Sequence, residues 1–374
     1  MSDTLNSTIK AISQKFAISG YFVGGNEIKS GHINTTYIAT YALDSGERRR
    51  YIFQLINENV FTDPLAVMHN VECVTRHINR KVLRARRDLG GQTLNLYSAK
   101  GGRSYVKGEG GEIWRCYNFI EGCHTYDIVE TSHQAYQAAR AFGSFQDLVS
   151  DIPAEDVLET IPDFHNTPRR FAKLMQVIEA DPEGRLESVR DEVAFVKKRE
   201  ALCSSLVNQL EAGELPQRIT HNDTKLNNVM MDSETDEAVC VIDLDTVMPG
   251  LSSYDFGDLV RTATSPAAED EKDLNKVEMR MPMFEALAEG YLDGCDCLTP
   301  NEIANLVTGG KVITLETGIR FLTDYLEGDV YFKTAYESQN IDRCRTQLKL
   351  LECIEGKEDA MRNFLARIAK SKLP

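Results

Sequence analysis

Hydrophobic periodicity changes once along this chain, and that change limits the architectures open to it. Up to residue 119, short runs rich in β-branched and aromatic side chains are separated by glycine-bearing turns, at 20–28 (GYFVGGNEI), 33–42 (INTTYIATYA), 50–56 (RYIFQLI), 93–97, 103–107 and 113–120. Such runs read as strands. One helix interrupts them at 64–86, where Val67, Val71, Val74 and Ile78 recur at helical spacing. Pro64 stands near its start, and Lys81, Arg84, Arg86 and Arg87 crowd its end, where the helix dipole favours cations. Beyond Glu121-Gly122 the spacing is helical. Residues 132–149 set Ala135, Ala138, Ala139, Phe142, Phe145 and Val149 on one face, and further helices are predicted over 188–212, 275–293, 301–327 and 341–370. At 374 residues the chain exceeds the usual size of one core. The expected fold is therefore α+β and bilobal: an antiparallel-sheet lobe with one helix over 1–119, and a mostly helical lobe over 120–374.

One stretch breaks the helical habit. Residues 219–232 (ITHNDTKLNNVMMD) and 238–250 (AVCVIDLDTVMPG) hold two short apolar strands between dense polar clusters. His221-x-Asp223-x-x-x-x-Asn228 puts a carboxylate and an amide on one loop, and the apolar run Val239–Ile242 ends abruptly in Asp243-Leu244-Asp245. A strand delivering carboxylates at its end, beside an amide-bearing loop, suits a magnesium–phosphate site, because Mg2+ takes hard oxygen ligands and leaves the rest to phosphates and water. Asn228 and Asp243 are the expected metal ligands, and Asp223, upstream on the same loop, can face an incoming hydroxyl. The spacing Asp223-x-Lys225-x-x-Asn228, followed by a strand-end Asp, is the catalytic-loop pattern of phosphoryl-transfer enzymes. A purely structural reading makes these turn residues between two strands. It leaves His221, the five-residue offset and the second acidic cluster without a reason.

Composition removes other classes. Lys and Arg number 42 against 57 Asp and Glu, for a formal charge of −15. A nucleic-acid partner needs concentrated positive charge, so none is expected. No apolar run approaches the ~20 residues of a membrane span, and the N-terminus lacks the basic-then-apolar build of a signal peptide. The nine cysteines include no Cys-x-x-Cys, which fits reduced thiols and a cytoplasmic location. Cys295-x-Cys297 supplies half of a metal's ligands, but no His or Cys follows nearby, and the pair is read as structural. No Walker A, dinucleotide fingerprint or His-Glu-x-x-His is present.

The strand order of the first half, with H-N-D-x-K-x-x-N and I-D-x-D, resembles the aminoglycoside phosphotransferase/choline kinase superfamily, whose fold is protein-kinase-like. Further blocks are GHINTTY (31–37), WRCYNFIEG (114–122), FHNTPRRF (164–171), VIDLDTVMPG (241–250), YDFGD (254–258) and IRFLTDYLEGDVYF (319–332). Together they resemble kinases that phosphorylate the anomeric hydroxyl of N-acetylhexosamines. The resemblance implies Mg2+ and ATP, with nucleotide bound by the first lobe and chemistry in the second. It makes Asp223 the catalytic base, Asn228 and Asp243 the magnesium ligands, and Asp245 a supporting carboxylate near the metal. Ser30-Gly31 with Asn34 would cover the phosphates, and His32, Arg320 and Tyr331 would join Asp223 in holding the sugar.

One departure stands out. Where kinases carry a phosphate-binding lysine on the third strand, this chain has Gln54, and the helix glutamate that would pair with that lysine is Glu72. Gln54 is expected to hydrogen-bond a phosphate or Glu72, and Lys225 to supply the missing positive charge. Rival readings remain for the sugar-side residues. His32 can be a turn residue, Arg320 can pair with Glu316 and Asp324 at i±4, and Tyr331 can pack on Phe332. Asp255, Asp258 and Arg261 are expected to brace the site from beneath. A protein kinase is disfavoured, since Asp243-Leu244-Asp245 replaces Asp-Phe-Gly. Another small-molecule kinase and a non-catalytic nucleotide binder are the alternatives. The oligomeric state is left open.

Overall fold

The computed structural model describes residues 2–28, 33–85 and 93–372. Its N-terminal part runs α1 (Ser2–Ser13), β1 (Tyr21–Ile28), β2 (Thr35–Ala42), β3 (Arg48–Leu55), α2 (Pro64–Ala85), β4 (Val106–Lys107) and β5 (Ile113–Asn118). The five strands form one antiparallel sheet in the order β1-β2-β3-β5-β4. The period-two alternation of β3 explains how the sheet is covered. Tyr51 and Phe53 pack with Ile9, Ile12 and Phe16 around α1, while Ile52 joins the cluster of Val67, Met68, Val71 and Val74 on α2. Two helices therefore clad this sheet where one was expected; α1 had no counterpart in the sequence reading. The strand expected at 93–97 is reduced to a single bridge, Leu96 to Tyr117, and that at 103–107 to its last two residues.

The C-terminal part continues with β6 (Cys123–His124), α3 (Ser132–Val149), α4 (Thr167–Ala180), α5 (Arg190–Lys197), α6 (Glu200–Glu211), β7 (Arg218–Thr220), β8 (Val229–Asp232), β9 (Ala238–Val241), β10 (Met248–Gly250), α7 (Ser252–Ala263), α8 (Met281–Gly294), α9 (Pro300–Leu326) and α10 (Gln339–Lys372). The helix expected over 188–212 is broken between α5 and α6. There Arg199 turns aside to make two hydrogen bonds with Glu355, at 2.9 and 2.6 Å. Two helices were missed because their residues read as polar motif. α4 starts at FHNTPRRF, where Asn166 caps the backbone N–H of Arg169 and Pro168 occupies the first turn. α7 carries YDFGD, and at Gly257 it lies so close to α9 that a Cβ would meet the Gly309 carbonyl oxygen at 2.4 Å. That contact presses α7 under the loop between β7 and β8. Among the described residues, no helix is long and apolar enough to cross a membrane, and all nine cysteines are free.

Candidate active site

The polar loop hangs between β7 and β8, and its backbone is held from below. Asp255 on α7 accepts the N–H groups of His221 at 2.8 Å and Asn222 at 2.7 Å. Asp258 accepts that of Thr224 at 3.0 Å and is paired with Arg261 at 2.8 Å. Asn222 needs this support, because it sits in the left-handed region at φ 63°. These contacts make α7 a brace for the loop. His221 is fully buried and uses both ring nitrogens in one neutral tautomer. Its Nε2–H donates to the Ile242 carbonyl at 3.0 Å, while Nδ1 accepts the Asp223 N–H at 3.3 Å. The imidazole therefore ties the loop to the end of β9 and is spent on positioning.

Four chemistry-bearing side chains meet above it. The Asp223 carboxylate accepts Asn228 Nδ2 at 3.0 Å and lies 3.1 Å from Lys225 Nζ. Asn228 also donates Nδ2 to the Asp223 carbonyl at 2.8 Å, which leaves Oδ1 as its spare acceptor. Its own carbonyl accepts the Ile242 N–H at 2.9 Å, bringing Asp243 alongside. Asp243 bends away from β9 in the left-handed conformation, φ 60°. Its side chain is reached by solvent yet crowded by the surrounding protein. That crowding, with Asp245 and Asp223 nearby, pushes its pKa up to about 7. Burial pulls the Lys225 ammonium down, but Asp223 and Asp258 outweigh it and hold its pKa above the ordinary value.

The third-strand position resolves differently from expectation. Gln54 does not meet Glu72. It stands directly across from Arg115 in the β3–β5 register, and its Oε1 accepts Arg115 Nε at 2.9 Å and an Arg115 terminal nitrogen at 2.8 Å. Gln54 Nε2 donates to Thr36 Oγ1 at 3.1 Å, which completes a row across β2, β3 and β5. The other Arg115 terminal nitrogen reaches the Asp245 carboxylate, with side-chain exposures of 1% and 3%. Burial disfavours the guanidinium charge, but Asp245 more than compensates and raises its pKa. Asp245 also accepts Asn34 Nδ2, and Asn34 is fixed in turn by the Asn57 N–H at 2.9 Å. Both oxygens of Asp245 are thus engaged by the N-terminal part. Glu72 accepts Ser104 Oγ at 2.7 Å and pairs with Arg76. Arg115 was missed in the sequence, although a lone cation inside the apolar strand IWRCYN must find a buried carboxylate.

On the opposite side of the loop lies an arginine–aromatic patch. Arg320 makes no ion pair among the described residues, so the i±4 reading does not hold. Glu316 is taken by His165 Nδ1 at 2.9 Å and Thr167 Oγ1 at 2.6 Å. Asp324 is taken by the backbone N–H groups of Tyr331 and Phe332 and by Asn340. The Arg320 guanidinium instead lies over Phe164 at 5.8 Å and Phe332 at 5.4 Å. Arg170 donates to the Phe164 carbonyl at 3.3 Å and keeps a buried Nε without a partner. Burial and the nearby Arg320 lower its pKa. Tyr331 is 69% exposed, its ring edge-on to Phe332 at 4.8 Å, so it is not core. His165 links the patch to the loop, with Nε2 3.4 Å from the Asn222 carbonyl. Ser30, Gly31 and His32 lie outside the described residues.

The donor set suits a hard divalent cation. Asp243 offers a carboxylate oxygen beside the loop, and Asn228 an amide oxygen not used in its hydrogen bonds to Asp223. Asp245, already spanned by Arg115 and Asn34, serves to hold its neighbours. An acid beside a lysine, next to a place for a cation, can position a hydroxyl and neutralise a transferred phosphoryl group.

Comparison with known proteins places the chain and its fold in one class. Residues 25–291 match the model of the phosphotransferase enzyme family APH. The chain belongs to this family and is a kinase-type phosphotransferase with its protein-kinase-like fold. It resembles in structure an aminoglycoside phosphotransferase from Alicyclobacillus acidocaldarius, with TM-score 0.59 and 15% identity over 96% of this chain and 95% of that one. A microcompartment-associated aminopropanol kinase gives TM-score 0.59 and 17% identity over 95% and 98%. An amicoumacin kinase in complex with AMP-PNP, Ca2+ and Ami gives TM-score 0.55 and 14% identity over 87% of each chain.

Proposed function

We propose that this phosphotransferase is an N-acetylhexosamine 1-kinase, moving the γ-phosphoryl group of ATP to the anomeric hydroxyl of GlcNAc or GalNAc. In this reading residues 1–119 bind the nucleotide, with Ser30, Gly31 and Asn34 over the phosphates, and 120–374 carry the chemistry and the sugar. Asp223 accepts the C1 hydroxyl proton as the C1 oxygen bonds to the γ-phosphorus and the bond to the bridging oxygen breaks, releasing ADP. Lys225 offsets negative charge on the transferring group. Asn228 and Asp243 hold Mg2+, which neutralises phosphate charge when bound. Gln54 and Glu72 act through what they hold, Arg115 and Ser104, at the edge of the nucleotide site.

The observation that carries the choice of acceptor is the arginine–aromatic patch. Aromatic rings pack on the C–H faces of sugars, and guanidinium groups donate to hydroxyl and acetamide oxygens. Arg320 and Tyr331 are assigned there with Arg170 and Phe164, and His32 is assigned to the sugar by resemblance alone. Two arginines that make no direct ion pair among the described residues disfavour a cationic aminoglycoside or choline and accept a neutral sugar. The test offers GlcNAc, GalNAc, galactose, kanamycin and choline with Mg-ATP and locates the new phosphate by NMR. The expected products are the 1-phosphates of GlcNAc and GalNAc, lost in Asp223→Asn. Preferential phosphorylation of kanamycin or choline, or of any other sugar hydroxyl, would show the reading to be wrong.

A further inference from the structure

The Cys295-x-Cys297 pair acquires a third ligand that its sequence neighbourhood lacks. Asp147, in the last turn of α3, brings a carboxylate oxygen to the two sulfurs, and the three ligand atoms lie within 4.8 Å of one another. No other trio of His, Cys, Asp or Glu does so among the described residues. The sulfurs are 3.3 Å apart, well beyond a disulfide bond of about 2.05 Å. Two thiolates on one tetrahedral cation stand about 3.8 Å apart when each metal–sulfur bond is about 2.3 Å. The pair has to open by about 0.5 Å to reach that spacing.

The site is also built. At Gly294 the end of α8 lies against α3 so tightly that a Cβ would meet the Arg140 carbonyl oxygen at 2.3 Å, which sets the chain leaving α8 beside Asp147. The Cys297 carbonyl accepts Arg218 at 2.9 Å, and Arg218 is itself forked onto Glu302 at 2.9 and 2.8 Å. Cys297 and Asp147 are half-buried, so solvent can complete a coordination shell.

We infer that Cys295, Cys297 and Asp147 bind a thiophilic divalent cation such as Zn2+, with water as the fourth ligand. Two thiolates and one carboxylate select such an ion over Mg2+. The site joins α3 to the α8–α9 connection beside β7, the strand that leads into the catalytic loop. Its occupancy therefore stabilises the C-terminal part and takes no share in the chemistry.

The test starts from reduced, chelator-stripped full-length protein in excess Mg2+ and titrates it with Cd2+, following ultraviolet sulfur-to-metal charge transfer. One equivalent should produce the band, and competing Zn2+ should remove it. Cys297→Ser should abolish it, and Asp147→Asn should keep it with a Kd at least ~10-fold weaker. Zn2+ should raise the unfolding midpoint of the wild type and not that of Cys297→Ser. Absence of a saturable band, or an identical band in Cys297→Ser, overturns the site. An unchanged Kd in Asp147→Asn overturns the three-ligand assignment.

Discussion

Arg115 gives the sharpest test of how this site is built. Arg115→Met keeps length and apolar bulk but removes two hydrogen bonds to Gln54 and the ion pair to Asp245. Asp245 is only 3% exposed, so solvent cannot take over its lost partner. Losing one side of such a buried pair costs about 3–5 kcal/mol, because the remaining charge is stranded. An unfolding entropy of about 2.1 cal/mol/K per residue gives roughly 0.8 kcal/mol/K over the chain's 374 residues. The midpoint in calorimetry should therefore fall by about 4–6 °C for a cooperative transition. Turnover should fall as well, since Asp245 is two residues from Asp243 and, among the described residues, keeps only Asn34 as a side-chain partner once Arg115 is gone. Gln54 is directly opposite Arg115 in the register, so Gln54→Lys in the Arg115→Met background returns a cation to the same row. It should recover much of both losses. A midpoint within 1 °C of wild type for Arg115→Met refutes the ion-pair reasoning. A destabilised Arg115→Met that Gln54→Lys fails to rescue refutes the equivalence of the two positions.

Lys225→Ala should lower kcat by about 10²–10³, the usual effect of removing one charged donor to a transition state, with little change in acceptor KM; an unchanged kcat removes Lys225 from the chemistry. The buried Glu302–Arg218 pair makes a pH prediction. Burial favours the protonated acid, but Arg218 outweighs it and the folded-state pKa lies below the usual 4.5. The stabilisation is therefore complete above 4.5 and is lost as pH falls through the lowered value. In urea titrations Glu302→Gln should be less stable than wild type by a constant amount above pH 5, and the gap should close on acidification. A gap that widens on acidification means that the sign is wrong.

The α+β class was legible because period-two and helical patterns are local, and each reports which faces of an element are buried. Boundaries and three helices were less so. YDFGD and FHNTPRRF carry polar residues for capping and bracing, which dilutes the apolar stripe that marks a helix. Within the site, the grouping of Asp223, Lys225 and Asn228 was readable because these residues share one loop, and Asp243 follows from the hairpin that returns beside it. Gln54 was recognised as a departure, and of its two expected partners Glu72 is replaced by Arg115. The sequence offers Glu72 by analogy, whereas the β3–β5 register puts Arg115 in contact.

What the chain determines by itself is therefore short-range: the order of strands and helices, the acid–lysine–amide loop, and the strand that ends in carboxylates. Tertiary structure alone decided that Arg115 reaches Asp245, that Arg320 makes no ion pair among the described residues, and that Asp147 faces two cysteines. Spacing along the chain constrains neighbours within a turn or a hairpin. A buried charge or a thiol finds its distant partner only when packing has removed water and left it no other.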